Sequence, residues 1–452
     1  MMKDDLSIGA IGSHFKTLAI PAALGMLFTT LYNVVDVYYA GQLSTDAQAG
    51  MAIGYQALFI LMALGFGLGS VLSALVSKAK GAKDRTATLR FITQGISFSI
   101  ILTLLLMLVG AISGPNLIAL VSEPGAYRDS AEDYFGWLIY ALPGFFIAYG
   151  SNGVLQAHAD SLSMQRAMVV SFFANVGLNP LFMFGIPGIW DGIGLAGIAV
   201  ATIVSQTGVM VYLVSRVFSL DIMRSVPAIE FKPDWATYRS ITAQLLPASS
   251  ALFIMFLSGF VVQFALKGFG GSAIAAYGVA LRIEQILLLP ILGMTGALLP
   301  IVGQNFGAGN FERVRQSLFF CWKAGFIMSL IAMVILWFFG SFAMSLFTKD
   351  AAVIAIGTSY LRVDGFLFPV YMVLFSLNSY LQALQRPIWT LWISIYRQGF
   401  GVAFFIWIFV GVLGFDVWGV WFGIATAVTT GCALALNVAN RVSHRKVSKV
   451  LF

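Results

Sequence analysis

The chain has 452 residues, 59% of them hydrophobic and 10% charged, with a mean hydropathy of +0.89. Soluble domains carry roughly 25% charged residues, so an apolar excess of this size has to be solvated by lipid and excludes a soluble protein. The net charge of +7, from 26 basic and 19 acidic residues, must be placed along the chain before it is read as affinity for nucleic acid.

Windows of about 20 apolar residues, the length that crosses roughly 30 Å of hydrocarbon, fall at 17–40, 49–76, 92–113, 134–157, 167–187, 193–217, 243–266, 273–300, 318–341, 360–384, 391–411 and 418–440. The first follows Lys3 and Lys16, but it is too long for a signal-peptide core, contains Asp36 and has no small-residue cleavage pattern behind it. It is therefore kept as a first helix, and the spacing predicts an all-α integral membrane protein of twelve transmembrane helices. Cys321 and Cys432 both lie inside apolar runs and read as small buried hydrophobes, not a disulfide pair.

The basic residues settle the expected orientation, because cytoplasmic loops collect Lys and Arg. Lys78, Lys80, Lys83, Arg85 and Arg90 follow the second helix, Arg166 the fourth, and Arg216, Arg224, Lys232 and Arg239 surround the 218–240 connection. Arg313, Arg315 and Lys323 follow the eighth, Arg386 the tenth, and Arg441, Arg445, Lys446 and Lys449 end the chain. The opposite loops hold only Arg128, Lys267 and Lys349. Both termini are expected to be cytoplasmic, and the positive charge reports membrane orientation, with no nucleic-acid partner.

A self-comparison at an offset of 226 residues aligns the two halves. Pro21 falls on Pro247, Gly67 on Gly293, Gly81–Ala82 on Gly307–Ala308, Tyr134 on Tyr360, Pro143 on Pro369 and Asn152 on Asn378. "LQA" at 155–157 meets "LQA" at 381–383, and Gly197–Ile198–Ala199 meets Gly423–Ile424–Ala425. Six helices per half is an even number, so the repeats run the same way through the membrane. They form two six-helix bundles related by a pseudo-two-fold axis along the membrane normal, an arrangement of secondary transporters. The expected organisation is an N-terminal lobe over 1–217, a cytoplasmic linker over 218–240, polar and carrying Pro227 and Pro233, and a C-terminal lobe over 241–452.

Polar side chains at membrane depth are costly, so the positions where the repeats disagree are informative. Asp36 pairs with Val262, Asn175 and Asn179 with Gly401 and Phe405, and Thr202 with Val428. The pattern predicts one ion site in the N-terminal lobe and none at the equivalent place in the other. One carboxylate with amide and hydroxyl oxygens can hold a proton or a hard monovalent cation, so Na⁺ at Asp36, Asn175, Asn179 and Thr202 is one candidate. Membrane Asn and Thr also serve simply to bond neighbouring helices. The second half instead gains Arg282, Glu284, Arg362, Asp364 and Arg397, read as a buried polar network, with Glu284 and Arg397 as one cross-helix pair.

An ATP-driven pump is disfavoured, because the sequence has neither a phosphate-binding G-x-x-x-x-G-K-[ST] loop nor a soluble segment large enough for a nucleotide domain. The glycines at 65, 67 and 69 lie within the second helix and suit close packing. His14, His158 and His444 are scattered without metal-ligand spacing, which argues against an intramembrane metalloenzyme.

Four segments carry a resemblance: "LYNVVDVYYAG" at 31–41, "NVGLNPLFMFG" at 175–185, "GIGLAGIAVATIVSQ" at 192–206 and "LPIVGQNFGAGN" at 299–310. Over nearly its whole length the chain resembles the multidrug and toxic compound extrusion (MATE) transporter family, and the first segment its DNA-damage-inducible-type branch. The resemblance implies that Asp36 is the proton- or sodium-coupling residue, that Asn175, Asn179, Thr202 and Tyr32, with Tyr134, complete the site, and that the first helix bends at Pro21. It also implies export of lipophilic or cationic drug-like compounds in exchange for H⁺ or Na⁺, without a further cofactor or enzymatic activity. Some members of the branch carry a second aspartate where this chain has Asn179, so a single coupled ion per cycle is expected. The acidic residue that another branch places in helix seven is missing here, and Asp364 lies elsewhere in helix ten than that pattern.

The expected protein is a multi-pass monomer of a prokaryotic inner membrane. Two alternatives remain at this point. A flippase for lipid-linked precursors would call for a strongly cationic cleft, whereas the N-half spans hold no Arg or Lys away from their ends. An ion-conducting pore lined by the polar cluster would pass ions without organic substrate.

Overall fold

The structure, a computed structural model, describes residues 5–224 and 226–447, so Lys3, Lys449 and the side chain of Lys446 lie outside the described residues. Twelve long helical segments are described: α1 Ile11–Leu43, α2 Thr45–Gly81, α3 Arg85–Val121, α4 Ala126–Ala157, α5 Leu162–Phe184 and α6 Leu195–Phe218 in the first repeat. The second repeat holds α7 Trp235–Leu266, α8 Gly271–Gly307, α9 Phe311–Ser345, α10 Ala351–Ala383, α11 Pro387–Val412 and α12 Val417–Lys446. Each predicted span falls mainly on one of them; 167–187 overruns α5 into the strand at Gly185–Ile186, and 193–217 begins two residues before α6, because the apolar residues of the hairpin extend the run without continuing the helix. Most helices extend a turn or more past the apolar windows, because backbone emerging from hydrocarbon still has its hydrogen bonds to satisfy. The ends are closed by short polar caps: Ser44 accepts from the Ala47 amide at 3.0 Å, and Asp84 from the Ala87 amide at 2.9 Å.

Three irregularities interrupt the helices. A 3-10 turn at Ile139–Ala141 breaks α4 just before Pro143. In α11 the stretches Ile395–Gly401 and Trp407–Val412 are π-helical, a wider turn often found at functional positions. Between α5 and α6, Gly185–Ile186 pairs antiparallel with Trp190–Asp191 as β1 and β2. That tight hairpin needs glycine at 185, where φ is +77° and a β-carbon would collide with the Trp190 carbonyl.

The helices gather into two units that are discontinuous in sequence. Unit 1 holds residues 24–249 and unit 2 holds 5–23 with 250–447. Since 249 − 23 = 226, the two changeover points are repeat-equivalent. Each lies two residues past an equivalent proline, Pro21 in α1 and Pro247 in α7. Two equivalent glycines receive these helix starts. In unit 2, a β-carbon at Gly293 of α8 would stand 2.6 Å from the Ala19 carbonyl oxygen and 2.9 Å from the Ala23 side chain. In unit 1, one at Gly67 of α2 would strike the Ser249 hydroxyl. Small residues let helix backbones approach this closely in a membrane.

The segment leading into each helix start is also clamped. Gln94, buried on α3, donates to the Glu230 and Lys232 carbonyls at 2.7 and 2.8 Å and accepts from the Asp234 amide at 2.8 Å. α7 begins at Trp235, so the last residues of the polar 218–240 stretch are helical, and Tyr238 donates to Ser97 at 2.8 Å. In unit 2, Gln304 accepts from the Leu6 amide at 2.8 Å and Asn305 donates to the Leu6 carbonyl at 3.1 Å.

Gln94→Leu leaves three backbone groups of the linker without partners, at about 1 kcal/mol each before water replaces them. Limited digestion of the purified protein with a glutamate-specific endoprotease should then cut after Glu230 about tenfold faster than in the native chain, the equivalent of about 1.4 kcal/mol. Gly293→Val should lower the thermal midpoint by the equivalent of about 1–3 kcal/mol, the usual cost of overpacking, while Gly296→Val, where a β-carbon meets nothing within 4 Å, should change it far less.

Candidate functional site

The polar residues singled out in the first repeat meet inside unit 1, whereas Pro21 lies in unit 2. Tyr32 and Asp36 sit one turn apart on α1, Asn175 and Asn179 one turn apart on α5, and Thr202 on the facing stretch of α6. Each is buried; Asp36 is 6% exposed and both asparagines 0%. Asn179 Nδ2 donates to Asp36 Oδ1 at 2.8 Å and to Asn175 Oδ1 at 3.1 Å, and Asn175 Nδ2 faces Asn179 Oδ1 at 3.4 Å. The carboxylate also faces Asn175 and Thr202. It is thus held from the α5 side by an amide that is itself held by a second amide.

The other side of the cluster is made of hydroxyls without partners. The Tyr32 hydroxyl stands close to Thr202, Ser205 and Asn175 but completes no hydrogen bond with them. Thr202 Oγ1 and Ser205 Oγ are likewise buried and unpaired. Buried hydroxyls without partners are rare and call for an explanation, of which a bound ion or ordered water is the simplest. Ser205, one turn past Thr202, was not singled out in the sequence because a small residue on a membrane helix reads first as packing; its spacing of three from Thr202 was the only signal. Tyr134 is buried beside this cluster, and Tyr55 of α2 lies near Asp36 and Asn33.

A proline holds α1 against α5 here. Pro180 has no amide hydrogen, so the Val176 carbonyl four residues earlier lacks its helical partner. The Tyr39 hydroxyl donates to that carbonyl at 3.1 Å. The bond ties α1 to α5 one turn from Asp36.

The candidates in the second repeat divide into two sets. In unit 2, Glu284 of α8, Asp364 of α10 and Arg397 of α11 are buried. Tyr360 donates to Glu284 Oε2 at 2.7 Å and Tyr371 to Asp364 Oδ1 at 3.1 Å. Arg397, on the first π-helical stretch, lies within electrostatic reach of Glu284 and Tyr371. Tyr277, Tyr360 and Trp421 pack around the carboxylates, with Tyr360 and Trp421 centroids 5.0 Å apart. Arg282 and Arg362 do not join them. Both are exposed, and Arg362 lies over the Trp337 ring, 5.7 Å from its centroid. A spacing of two on a helix turns Arg282 away from the face that buries Glu284, and Arg362 from that of Asp364. The expected five-residue network is therefore a three-residue one, tied by tyrosines absent from the original set.

Comparison with known proteins agrees with this architecture. The MatE family model matches residues 21–181 and again residues 247–408, together more than half of the chain and in the register of the internal repeat. Among curated proteins, the FAD transporter of Shewanella oneidensis is 24% identical over 409 residues, covering 88% of each chain. The probable multidrug resistance protein YoeA of Bacillus subtilis is 24% identical over 382 residues, covering 83% of this chain and 82% of its own. Among solved structures, a MATE transporter in its bent conformation superposes with a TM-score of 0.90 over 98% of both chains at 22% identity. A transporter of the wider superfamily from Pyrococcus furiosus gives the same score, coverage and identity. With twelve helices in two lobes and two matches to one family model, the chain belongs to the MatE family of membrane transporters.

Proposed function

We propose that the chain is a secondary active multidrug exporter of a prokaryotic inner membrane, expelling lipophilic or cationic organic compounds in exchange for H⁺ or Na⁺ that loads at Asp36. The observation that carries this reading is the enclosed single carboxylate of unit 1, held by amides on one side and faced by the unpaired hydroxyls of Thr202 and Tyr32 on the other. A site of one carboxylate and neutral oxygens suits a monovalent ion, and one acid implies one ion per cycle. The names of its multidrug relatives support drug-like substrates, and the FAD transporter among them adds flavin nucleotides to the compounds worth assaying.

As placed, Asn179 donates to Asp36, which favours the carboxylate once it has given up its ion. A proton would load on Asp36 with the amides unmoved. Sodium would draw on Asp36, the Asn175 and Asn179 carbonyl oxygens, Thr202 Oγ1 and Tyr32, and would require the Asn179 amide to turn. Loading from outside removes the charge that Asn179 binds, and the 24–43 portion of α1 shifts relative to its start near Pro21. What supports Pro21 as the hinge is its place two residues before α1 passes from unit 2 to unit 1. The basic residues at the α2–α3, α4–α5, α6–α7, α8–α9 and α10–α11 turns support cytoplasmic termini.

Inside-out proteoliposomes given sodium and pH gradients separately provide the test. One gradient should drive drug uptake in the native protein, and Asp36→Asn, which keeps the shape and loses the charge, should abolish it. Drug accumulation against a gradient by the variant would refute the coupling role. Thr202→Val tells the ions apart. If Na⁺ is coupled, losing an oxygen ligand should raise the half-saturating sodium concentration by about 10- to 100-fold, the value of a hydrogen bond or ligand to a charge. With H⁺, uptake at a fixed pH gradient should change by less than about threefold.

A further inference from the structure

At the end of unit 2 where α10 passes to α11 and α12 finishes, a cavity of about 280 Å³ is lined by Arg386, Trp389, Val438, Arg441, Val442 and Arg445. Positions 438, 441, 442 and 445 form one face of α12, which presents Arg441 and Arg445 one turn apart; Arg386 is the residue capping the start of α11, and Trp389 stands on its first turn. The three arginines are exposed, and none is in an ion pair among the described residues. Guanidinium groups gathered around one cavity repel each other unless an anion lies between them.

The internal repeat supplies a built-in comparison. Subtracting the offset of 226, Arg386 corresponds to Asp160, Trp389 to Ser163, Arg441 to Ser215, Val442 to Arg216 and Arg445 to Ser219. In unit 1 that corner satisfies itself: Arg216 reaches Asp160 Oδ2 at 3.5 Å and Ser163 Oγ at 3.2 Å, and Ser163 donates to Asp160 at 2.6 Å. In unit 2 the acid has become arginine, two serines have become arginines, and a tryptophan stands at the rim. One fold thus carries a closed salt-bridged corner in one copy and an open, purely cationic one in the other.

We propose that the corner formed by Arg386, Trp389, Arg441 and Arg445 binds the phosphate headgroup of an anionic phospholipid. Both helices leave the apolar part of their sequence here, so the cavity lies at the membrane boundary. Arginine forks bind phosphate oxygens in pairs. Trp389, 40% exposed, is of the type that settles at the headgroup level. The volume equals roughly nine liquid waters, room for a headgroup phosphate with its glycerol. Basic pockets between transmembrane helices recognise anionic headgroups in this way.

Native mass spectrometry of the full-length protein in detergent, titrated with phosphatidylglycerol, tests the assignment. At about fivefold per arginine near a membrane surface, the triple variant R386Q/R441Q/R445Q should retain the lipid on the order of a hundredfold more weakly. A control with equal charge removed elsewhere, K83Q/R85Q/R239Q, should change by less than about threefold. Equal retention by native and triple-variant protein overturns the proposal, as does equal retention of phosphatidylcholine and phosphatidylglycerol by the native protein. Inorganic phosphate separates the two sources of the anion. If it displaces the lipid at low millimolar concentration, the corner is a soluble-anion site and the lipid assignment fails; if it does not, the assignment stands. Should the triple variant not fold, the three single variants should each weaken retention about fivefold, and native-like retention by all three overturns the proposal.

Discussion

A carboxylate enclosed at membrane depth has to find its hydrogen bonds inside the protein, because lipid offers none. Asp36 meets that demand through Asn179, which is in turn braced by Asn175, so three side chains on two helices form one unit. The backbone answers to the same constraint nearby. Pro180 strands the Val176 carbonyl, and Tyr39 reaches across from α1 to satisfy it. Both bonds join α1 to α5, and both exist because an unmet polar group in hydrocarbon is expensive. Against that background the unpaired oxygens of Tyr32, Thr202 and Ser205 stand out. They gather on α1 and α6 beside Asp36, opposite the amides of α5.

The two units share a scaffold and differ in chemistry. Tyr134 and Tyr360 are repeat-equivalent, and each lies beside its unit's acidic residues, the first near Asp36 and the second bonded to Glu284. The acids themselves stand on non-equivalent helices, α1 in one unit and α8 and α10 in the other. Duplication preserved what the fold requires: the prolines, the close-approach glycines and the changeover two residues past Pro21 and Pro247. Side chains that the fold does not require were free to diverge. The outer corner shows this again, with Asp160 and Arg216 paired in one copy and three arginines in the other.

Much of this was legible in the residues because the membrane simplifies the code. A lipid-spanning helix needs a long apolar run, so the twelve spans could be counted, and an offset that superimposes prolines and glycines exposes the duplication. Asp36, Asn175, Asn179 and Thr202 were legible because their polarity is costly where it stands and absent from the other repeat. Ser205 was not, since a serine bonded to its own helix and one facing a buried polar cluster look alike in sequence. Arg282 and Arg362 were misplaced for a similar reason: near the end of a span a long side chain can reach outward, and the apolar window does not show which face it leaves from.

The sequence by itself determined the helix count, the repeat, the family resemblance and the identity of the polar residues, because each follows from local hydropathy or from residue identity at a constant offset. Only the tertiary structure decided which of those residues meet. The reach of Asn179 to Asp36 spans 143 positions, and that of Tyr360 to Glu284 spans 76. The division of α1 between the two units belongs to the structure as well. A helix of 33 residues looks continuous from its sequence, and only the packing of its two parts against different neighbours shows where one unit gives way to the other.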